Sequence, residues 1–216
     1  MTMFNEEIRN QLKELFKEMD KDVTMALFTK EEDCSSCQDT LSFLEELAAT
    51  SSKLHLERYE LDKDHALAEE YDVSLAPSIV ILDSQNNYKR IKFNGIPAGH
   101  EINSLISSIF EVSGKGEDLG QLIMERLNKI SNPIDIKVFV TLGCPHCPGA
   151  VSKAHKLAFE NPNISASMIE AQTFAELSDQ FNVSSVPKIV INDKYEFVGN
   201  QPFEVFLSEI EKAAAA

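Results

Sequence analysis

The chain has 216 residues, 43% hydrophobic and 25% charged, which is typical of a folded globular protein with room for two domains of about 100 residues. Its net charge of −15 argues against nucleic acid or an anionic membrane as a partner, because no basic cluster could displace counterions from phosphates. We expect no signal peptide, because the first residues lack a basic and apolar region, and no apolar run approaches the ~18 residues of a membrane-spanning helix.

The first half of the chain alternates between helical and strand patterns of apolar residues. The stretch Ser113-Gly114-Lys115-Gly116 is the best linker candidate, and it divides the chain into units at residues 1–115 and 116–216. The elements predicted before it are a helix within 2–20, a strand at 23–29, a helix around 41–48, a strand at 54–62, a helix at 65–71, paired strands at 77–82 and 88–93, and a helix at 100–110.

The second half repeats this order. Cys34 and Cys144 are 110 residues apart (144 − 34), and so are Pro77 and Pro187 (187 − 77), so no net insertion separates the two copies between these points. Both prolines are followed closely by Ile-Val-Ile. The chain therefore contains two copies of one structural unit. The elements predicted here are a helix at 119–130, a strand at 134–141, a helix ending near 159, a strand at 164–169, a helix at 174–181, strands at 188–191 and 195–198, and a helix after 202.

All four cysteines lie in C-x-x-C pairs, Cys34 with Cys37 and Cys144 with Cys147, where a strand gives way to a helix. The free amides and the dipole at a helix N-terminus favour negative charge, so a thiol there is more acidic, and the thiolate is the nucleophile. In a cytoplasmic chain, which we expect here, such pairs indicate redox catalysis or metal binding. We favour dithiol redox catalysis; half a zinc site and an inert buried pair are the alternatives.

The order strand, C-x-x-C, helix, strand, helix, then proline leading two antiparallel strands is that of a thioredoxin fold. We therefore predict an α/β protein of two tandem thioredoxin-fold units, each a mixed central sheet flanked by helices. Proline is the one residue for which a cis peptide bond costs little. We expect cis bonds at Ala76–Pro77 and Val186–Pro187 that present the preceding residue's backbone to an extended substrate; ordinary strand-initiating prolines are the alternative.

The chain resembles the protein disulfide oxidoreductases, which are two-domain glutaredoxin-like proteins, over nearly its whole length. This resemblance implies protein thiol–disulfide exchange by two redox-active disulfides, no bound cofactor, and a flavoprotein thioredoxin reductase using NADPH as a common electron donor. Peroxide-reductase flavoproteins carry a related tandem module but usually keep one active pair, whereas both are intact here. The matching stretches are Cys144-Pro145-His146-Cys147-Pro148, Ala154-His155-Lys156 and Phe93-Asn94-Gly95-Ile96-Pro97-Ala98-Gly99-His100-Glu101.

Two positions depart from the patterns of related families. His146 stands where this family often has tyrosine, and its Pro-His dipeptide is that of strongly oxidising periplasmic oxidases, so we expect His146 to modulate the pair. Thioredoxins place a buried acid in the strand before the motif, but Val138, six residues before Cys144, is apolar. The sequence therefore identifies no proton acceptor for the resolving thiol.

By position, Cys34 and Cys144 are the expected attacking thiols, exposed to the substrate, and Cys37 and Cys147 resolve the mixed disulfide. We expect Cys144 to have the lower pKa, because nearby charges decide how stable a thiolate is. The C-terminal pair would then be the more oxidising and the dominant one. The charged residues behind this expectation are Glu31, Glu32 and Asp33 before Cys34, and His146, Lys153, His155 and Lys156 around Cys144.

Three alternatives to this function remain at this point. A zinc or iron–sulfur protein would need the four thiols of the two pairs to converge. A chaperone-like module would carry the two motifs as relics. An electron-transfer module of a peroxide-reducing system would use the same thiol chemistry on a different partner.

Overall fold

The computed structural model describes residues 3–216. The helices are α1 (Glu6–Phe16), α2 (Cys37–Ala48), α3 (His65–Glu70), α4 (Ile102–Phe110), α5 (Gln121–Leu127), α6 (Cys147–Glu160), α7 (Ala175–Gln180) and α8 (Phe203–Ala214). The strands are β1 (Val23–Thr29), β2 (Leu54–Glu60), β3 (Ser78–Leu82), β4 (Tyr88–Asn94), β5 (Ile134–Val140), β6 (Ile164–Glu170), β7 (Lys188–Ile191) and β8 (Tyr195–Val198). A 3-10 turn at Gly99–Glu101 precedes α4, and a π-helical turn at Glu111–Lys115 follows it.

The strands of the described residues form one eight-stranded sheet in the order β2-β1-β3-β4-β6-β5-β7-β8. Each half of the sheet has the same internal order, and the parallel pairing of β4 with β6 joins the halves, with Ile91–Asn94 opposite Ala166–Ile169. The pairings make β1, β4, β6 and β5 run in the same direction. The predicted mixed sheet with flanking helices is confirmed. Both cysteine motifs follow the C-terminal ends of their strands and so lie at the same edge of the sheet.

The two faces of this sheet are packed differently. One apolar cluster extends through both halves and buries side chains of α1, α2, α4, α6 and α8 against the sheet. On the other face, two separate clusters include residues next to and within α3 and α7, one cluster in each half. Because the large cluster is shared, the two repeats are held together by a common core as well as by the β4–β6 ladder.

Several element boundaries differ from the predicted ones. α1 begins at Glu6 because the side chain of Asn5 caps it, accepting a hydrogen bond from the Ile8 N–H at 2.8 Å. Residue 2, where the predicted first helix begins, lies outside the described part of the chain. α6 begins at Cys147, so Cys144 lies ahead of the helix rather than in its first turn.

The predicted linker at residues 113–116 is not an open connection in its first part. Ser113 is buried, and its carbonyl oxygen accepts a hydrogen bond from the Lys21 N–H at 3.1 Å. Gly114 has a φ of +97°, a backbone conformation that glycine tolerates, and this ends the helical run after α4. The stretch is therefore tied to the first repeat, and the boundary between residues 115 and 116 stays a prediction.

Candidate functional site

Each C-x-x-C pair lies just beyond the C-terminal end of a central strand of its repeat. Cys34 follows β1 and Cys144 follows β5, and three strands lie between β1 and β5 in the sheet. At ~4.8 Å between neighbouring strands, the two starting points are about 19 Å apart. The two sulfur pairs therefore lie at the same sheet edge as separate sites and cannot exchange a disulfide directly.

Both pairs are disulfide-bonded. The Cα atoms of Cys34 and Cys37 are 5.4 Å apart, and those of Cys144 and Cys147 are 5.5 Å apart. Within residues 3–216 no three side chains of His, Cys, Asp or Glu converge as metal ligands would. The metal-binding alternative required the two pairs to meet, and the sheet holds them in different repeats.

The predicted cis peptide bonds occur at both positions, Ala76–Pro77 and Val186–Pro187. The Val186 carbonyl oxygen is 3.9 Å from the sulfur of Cys144. In the disulfide form this sulfur carries no hydrogen, so the approach is a contact and not a hydrogen bond. Among the described residues, neither Ala76 nor Val186 makes a backbone–backbone hydrogen bond, which leaves their N–H and C=O groups free to pair with an extended chain.

The first cysteine of each motif is the more accessible one, as expected for an attacking thiol. Cys34 is partly exposed and Cys37 is 7% exposed, while Cys144 is 9% and Cys147 0% exposed. Cys144 is nevertheless more covered than the sequence suggested. A substrate must therefore make close contact with the residues around Cys144 to reach the C-terminal pair, whereas Cys34 of the N-terminal pair is more exposed.

The basic residues expected to support a Cys144 thiolate are only partly available. His155 is buried and bonds through Nδ1 to Ser108 at 2.9 Å, and burial lowers its pKa to about 3, so the ring is neutral. Lys156 pairs with Glu111 at 2.6 Å and with Glu160 at 2.7 Å. His155 therefore adds no positive charge at the site, and the charge of Lys156 is compensated by two carboxylates, which the sequence alone does not show.

His146 and Lys153 are less buried than His155. The side chain of His146 is exposed between the two cysteines, where it can reach a bound substrate. Lys153 points to the side chain of Asn200, and partial burial lowers its pKa. Around Cys34, the carboxylate of Glu31 is already paired with Lys63 at 2.6 Å. The electrostatic contrast between the two sites is thus smaller than the sequence suggested.

The residue that sequence reasoning missed is Glu101. It is fully buried, burial raises its pKa to about 7, and Ser104 donates a hydrogen bond to its Oε2, while Oε1 has no partner among the described residues. The 3-10 turn that carries it packs against α6, whose first residue is Cys147. The neighbouring His100 N–H donates a hydrogen bond to the carbonyl oxygen of Leu142 at 3.0 Å.

The first repeat therefore places a buried carboxyl on a turn that packs against α6, the helix that begins with Cys147, whereas β5 carries the apolar Val138 at the position where thioredoxins have an acid. The signal in the sequence was the Gly99-His100-Glu101 run within the family-like stretch. The sequence alone offered no reason to connect this run with the second repeat, because the packing of the turn on α6 brings together residues of different repeats.

Comparison with known proteins agrees with the thioredoxin-type fold. A thioredoxin-domain family model matches residues 134–212. A protein disulfide oxidoreductase from Aeropyrum pernix superposes with a TM-score of 0.90 at 31% identity, covering 98% of this chain and 94% of that one. The chain belongs to the thioredoxin-like protein disulfide oxidoreductases. A structure of the alkyl hydroperoxide reductase AhpF from Enterococcus faecalis is equally similar, with a TM-score of 0.89 at 32% identity, covering 96% of this chain and 99% of that one.

Curated relatives of this oxidoreductase family are longer proteins. The chain is 28% identical to the alkyl hydroperoxide reductase AhpF of Staphylococcus aureus over 214 residues, and 27% identical to a Bacillus subtilis protein named NADH dehydrogenase over 203 residues. It spans 39% and 37% of their lengths. No helix within residues 3–216 is long and apolar enough to cross a bilayer.

Proposed function

We propose that the protein is a thiol–disulfide oxidoreductase that acts on protein disulfides through both C-x-x-C pairs. The observation that carries this proposal is that the carbonyl oxygen of Val186, which has no backbone hydrogen-bond partner, lies 3.9 Å from the Cys144 sulfur, and that the same cis-proline loop recurs at Ala76–Pro77 in the first repeat. An extended substrate chain can pair with Val186, and by analogy with Ala76, and so bring its own disulfide to Cys144 or Cys34. Pro77 and Pro187 hold these loops at the two sites.

The reaction is a pair of exchanges. The thiolate of Cys34 or Cys144 attacks a substrate sulfur, forms a mixed disulfide and releases the other substrate sulfur as a thiolate, which takes up a proton. Cys37 or Cys147, deprotonated, then attacks the first cysteine and releases the second substrate sulfur. Two electrons pass to the substrate, and the pair is left oxidised; oxidation of a dithiol substrate is the reverse reaction.

We assign Glu101 as the proton acceptor for Cys147. A resolving thiol buried in an apolar core must lose its proton before it attacks, and water does not reach it easily. A carboxyl group whose pKa is about 7 is partly ionised at neutral pH and can take up that proton. His146, exposed between the cysteines, modulates the reactivity of the pair from the solvent side.

The electron donor that fits this chemistry is a flavoprotein reductase of the thioredoxin reductase type, working in the cytoplasm, where dithiols are kept reduced. A second function is favoured by the near-complete match to the AhpF structure: the chain could pass electrons within a peroxide-reducing system. Both functions use the same thiol steps. Coupled assays with a reductase and either insulin or a peroxide-reducing partner protein distinguish them.

Insulin reduction with dithiothreitol tests the proposal. The N-site protein (Cys144→Ser/Cys147→Ser) keeps only the first pair, and the C-site protein (Cys34→Ser/Cys37→Ser) keeps only the second. We expect both to reduce insulin, the C-site protein faster, and the variant without cysteines to fall to background. Full activity in the variant without cysteines would instead support a chaperone-like module, and metal in anaerobically purified protein would support the metal alternative.

A further inference from the structure

The three residues before each redox pair, here called its flank, occupy equivalent positions in the two repeats but differ in what covers them. Residues 31–33 before Cys34 correspond to residues 141–143 before Cys144 at the offset of 110. Beside Cys144, the first repeat covers this flank: the His100 N–H bonds to the Leu142 carbonyl oxygen, and a Cβ atom on Gly99 would come within 2.5 Å of that oxygen. The C-terminal flank is therefore already occupied by a chain segment of the protein itself.

The corresponding flank of the N-terminal pair is open. Glu31, Glu32 and Asp33 are all exposed, and the Glu32 carbonyl, which corresponds to that of Leu142, accepts no backbone hydrogen bond within residues 3–216. Asp33, directly before Cys34 in the sequence, has a φ of +53° in the left-handed region. A substrate bound at Cys34 can place its own chain where residues 98–100 lie beside Cys144.

The charge of the open flank selects what can lie there. The carboxylate of Glu31 is compensated by Lys63, which also pairs with Glu60 at 2.7 Å. In the part of the chain that is described, Glu32 and Asp33 form no ion pair. Two exposed carboxylates without an ion-pair partner, carried by the two residues directly before Cys34, attract a basic side chain and repel an acidic one. The flank of Cys144, Thr141-Leu142-Gly143, carries no charge.

We propose that the N-terminal pair serves proteins that carry lysine or arginine beside their disulfide, and that Glu32 and Asp33 select them. The C-terminal pair, with an uncharged and covered flank, does not discriminate by charge. This inference rests on the proposed thiol–disulfide exchange. In the selected reaction, the Cys34 thiolate attacks the substrate disulfide, Cys37 resolves the mixed disulfide, and the two electrons come from a dithiol reductant that first reduces the pair.

The test uses two synthetic peptides that contain the same intramolecular disulfide and differ only in flanking residues, lysine in one and glutamate in the other. The N-site and C-site proteins are reduced with dithiothreitol, desalted, and mixed with each peptide in a stopped-flow fluorimeter. The second-order rate constants are measured at about 20 mM and about 300 mM NaCl, where the screening lengths differ strongly. The quantity compared is the ratio of the lysine-peptide to the glutamate-peptide rate constant.

For the N-site protein at low salt we expect a ratio of at least about fivefold, since each exposed charge contributes modestly. The ratio should fall toward one at high salt, and it should fall in Glu32→Gln/Asp33→Asn at low salt. Asparagine keeps the left-handed turn at position 33. A change in the pKa of Cys34 alters both peptide rates alike, so it cancels in the ratio.

The C-site protein is the matched control, because it keeps all carboxylates and nearly the same net charge. Its ratio should be clearly smaller than that of the N-site protein. Equal ratios in the two proteins, or a ratio that Glu32→Gln/Asp33→Asn leaves unchanged, would overturn the inference while leaving the exchange reaction intact. If a folded N-site protein reduces neither peptide, it is the proposed function that fails at this pair.

Discussion

Glu101 is the residue whose placement says most about the chemistry. It is fully buried in the first repeat, yet the turn that carries it packs on the helix that begins with Cys147. Burial without a cationic partner disfavours the carboxylate, which is why its pKa is raised to about 7. A carboxyl group in this state exchanges protons near neutral pH, as a proton acceptor must.

Glu101→Gln should remove one ionisation step from the pH dependence of the reaction at the C-terminal pair. In the C-site protein the rate of mixed-disulfide resolution should rise as the carboxyl ionises around pH 7, and the glutamine variant should be slower by about tenfold or more at pH 8, in the range expected for loss of general base catalysis. The same substitution in the N-site protein should leave its pH profile unchanged. Identical pH profiles for C-site proteins with and without the Glu101→Gln substitution would rule out the assigned role.

The Glu101 carboxyl should also make the free energy of unfolding depend on pH. Its pKa is 4.5 in the unfolded chain and about 7 in the folded one, so between these values the unfolded state ionises first and the free energy of unfolding falls as pH rises. In Glu101→Gln this contribution is absent. Denaturant unfolding of both proteins from pH 4.5 to 7.5 should show a difference that shifts in favour of the glutamine variant as pH rises, and a constant difference would contradict the raised pKa.

We predict that Cys144 has a lower thiol pKa than Cys34. The unpaired carboxylates of Glu32 and Asp33 oppose ionisation of Cys34, and the uncharged flank of Cys144 does not. Ultraviolet titration of the thiolate in Cys37→Ser and Cys147→Ser variants, each with the other pair replaced by serine, measures both values. Equal values, or the reverse order, would remove the reason for a more oxidising C-terminal pair.

At the scale of elements, the buried Ser108–His155 hydrogen bond joins α4 to α6, and the ring of Phe93 in β4, whose centroid is 4.7 Å from that of His155, packs on the same histidine. His155→Ala should lower the free energy of unfolding by roughly 2–4 kcal/mol, because it opens a cavity and leaves the Ser108 hydroxyl without its partner. Denaturant unfolding measures the loss.

Exposed His65, in α3, provides the matched control, and His65→Ala should change stability by less than about 0.5 kcal/mol. Because the His155 ring is neutral, His155→Ala should also leave the pKa of Cys144 nearly unchanged. A clear rise in that pKa would show that the ring does carry charge at the site.

Most elements were predictable because their residues follow simple periods. β1 and β3 are buried along their whole length and were predictable as apolar runs, and the shared offset of 110 residues predicted an equivalent proline for each cysteine pair. Glu101 and His155 were not predictable in the same way. Their roles depend on the packing of one repeat against the other, which no local pattern in either repeat encodes.

At the scale of the molecule, duplication has produced one sheet with two redox sites at one edge. The β1 and β5 ends are about 19 Å apart, so electrons do not pass between the pairs of one chain by direct exchange. We expect the insulin-reduction rates of the N-site and C-site proteins to add up to that of the wild type. A wild-type rate several times larger than their sum would indicate cooperation between the pairs.

The duplication also makes the two sites unequal. The flank of the C-terminal pair is covered by a segment of the first repeat, whose buried Glu101 lies on a turn that packs against α6, and no segment within residues 3–216 covers the flank of the N-terminal pair in this way. The two copies of the unit therefore place their C-x-x-C pairs in two different environments. This asymmetry is the basis for expecting different pKa values, pH profiles and partners at the two sites.

The reduction potential of each pair tests the account most directly. The N-site and C-site proteins would be equilibrated with mixtures of reduced and oxidised glutathione, and their free thiols counted after acid quenching. We predict a two-electron transition in each, with the higher potential for the Cys144–Cys147 pair. Cysteines that stay fully reduced or fully oxidised across the whole range in both proteins would contradict a redox function for this chain.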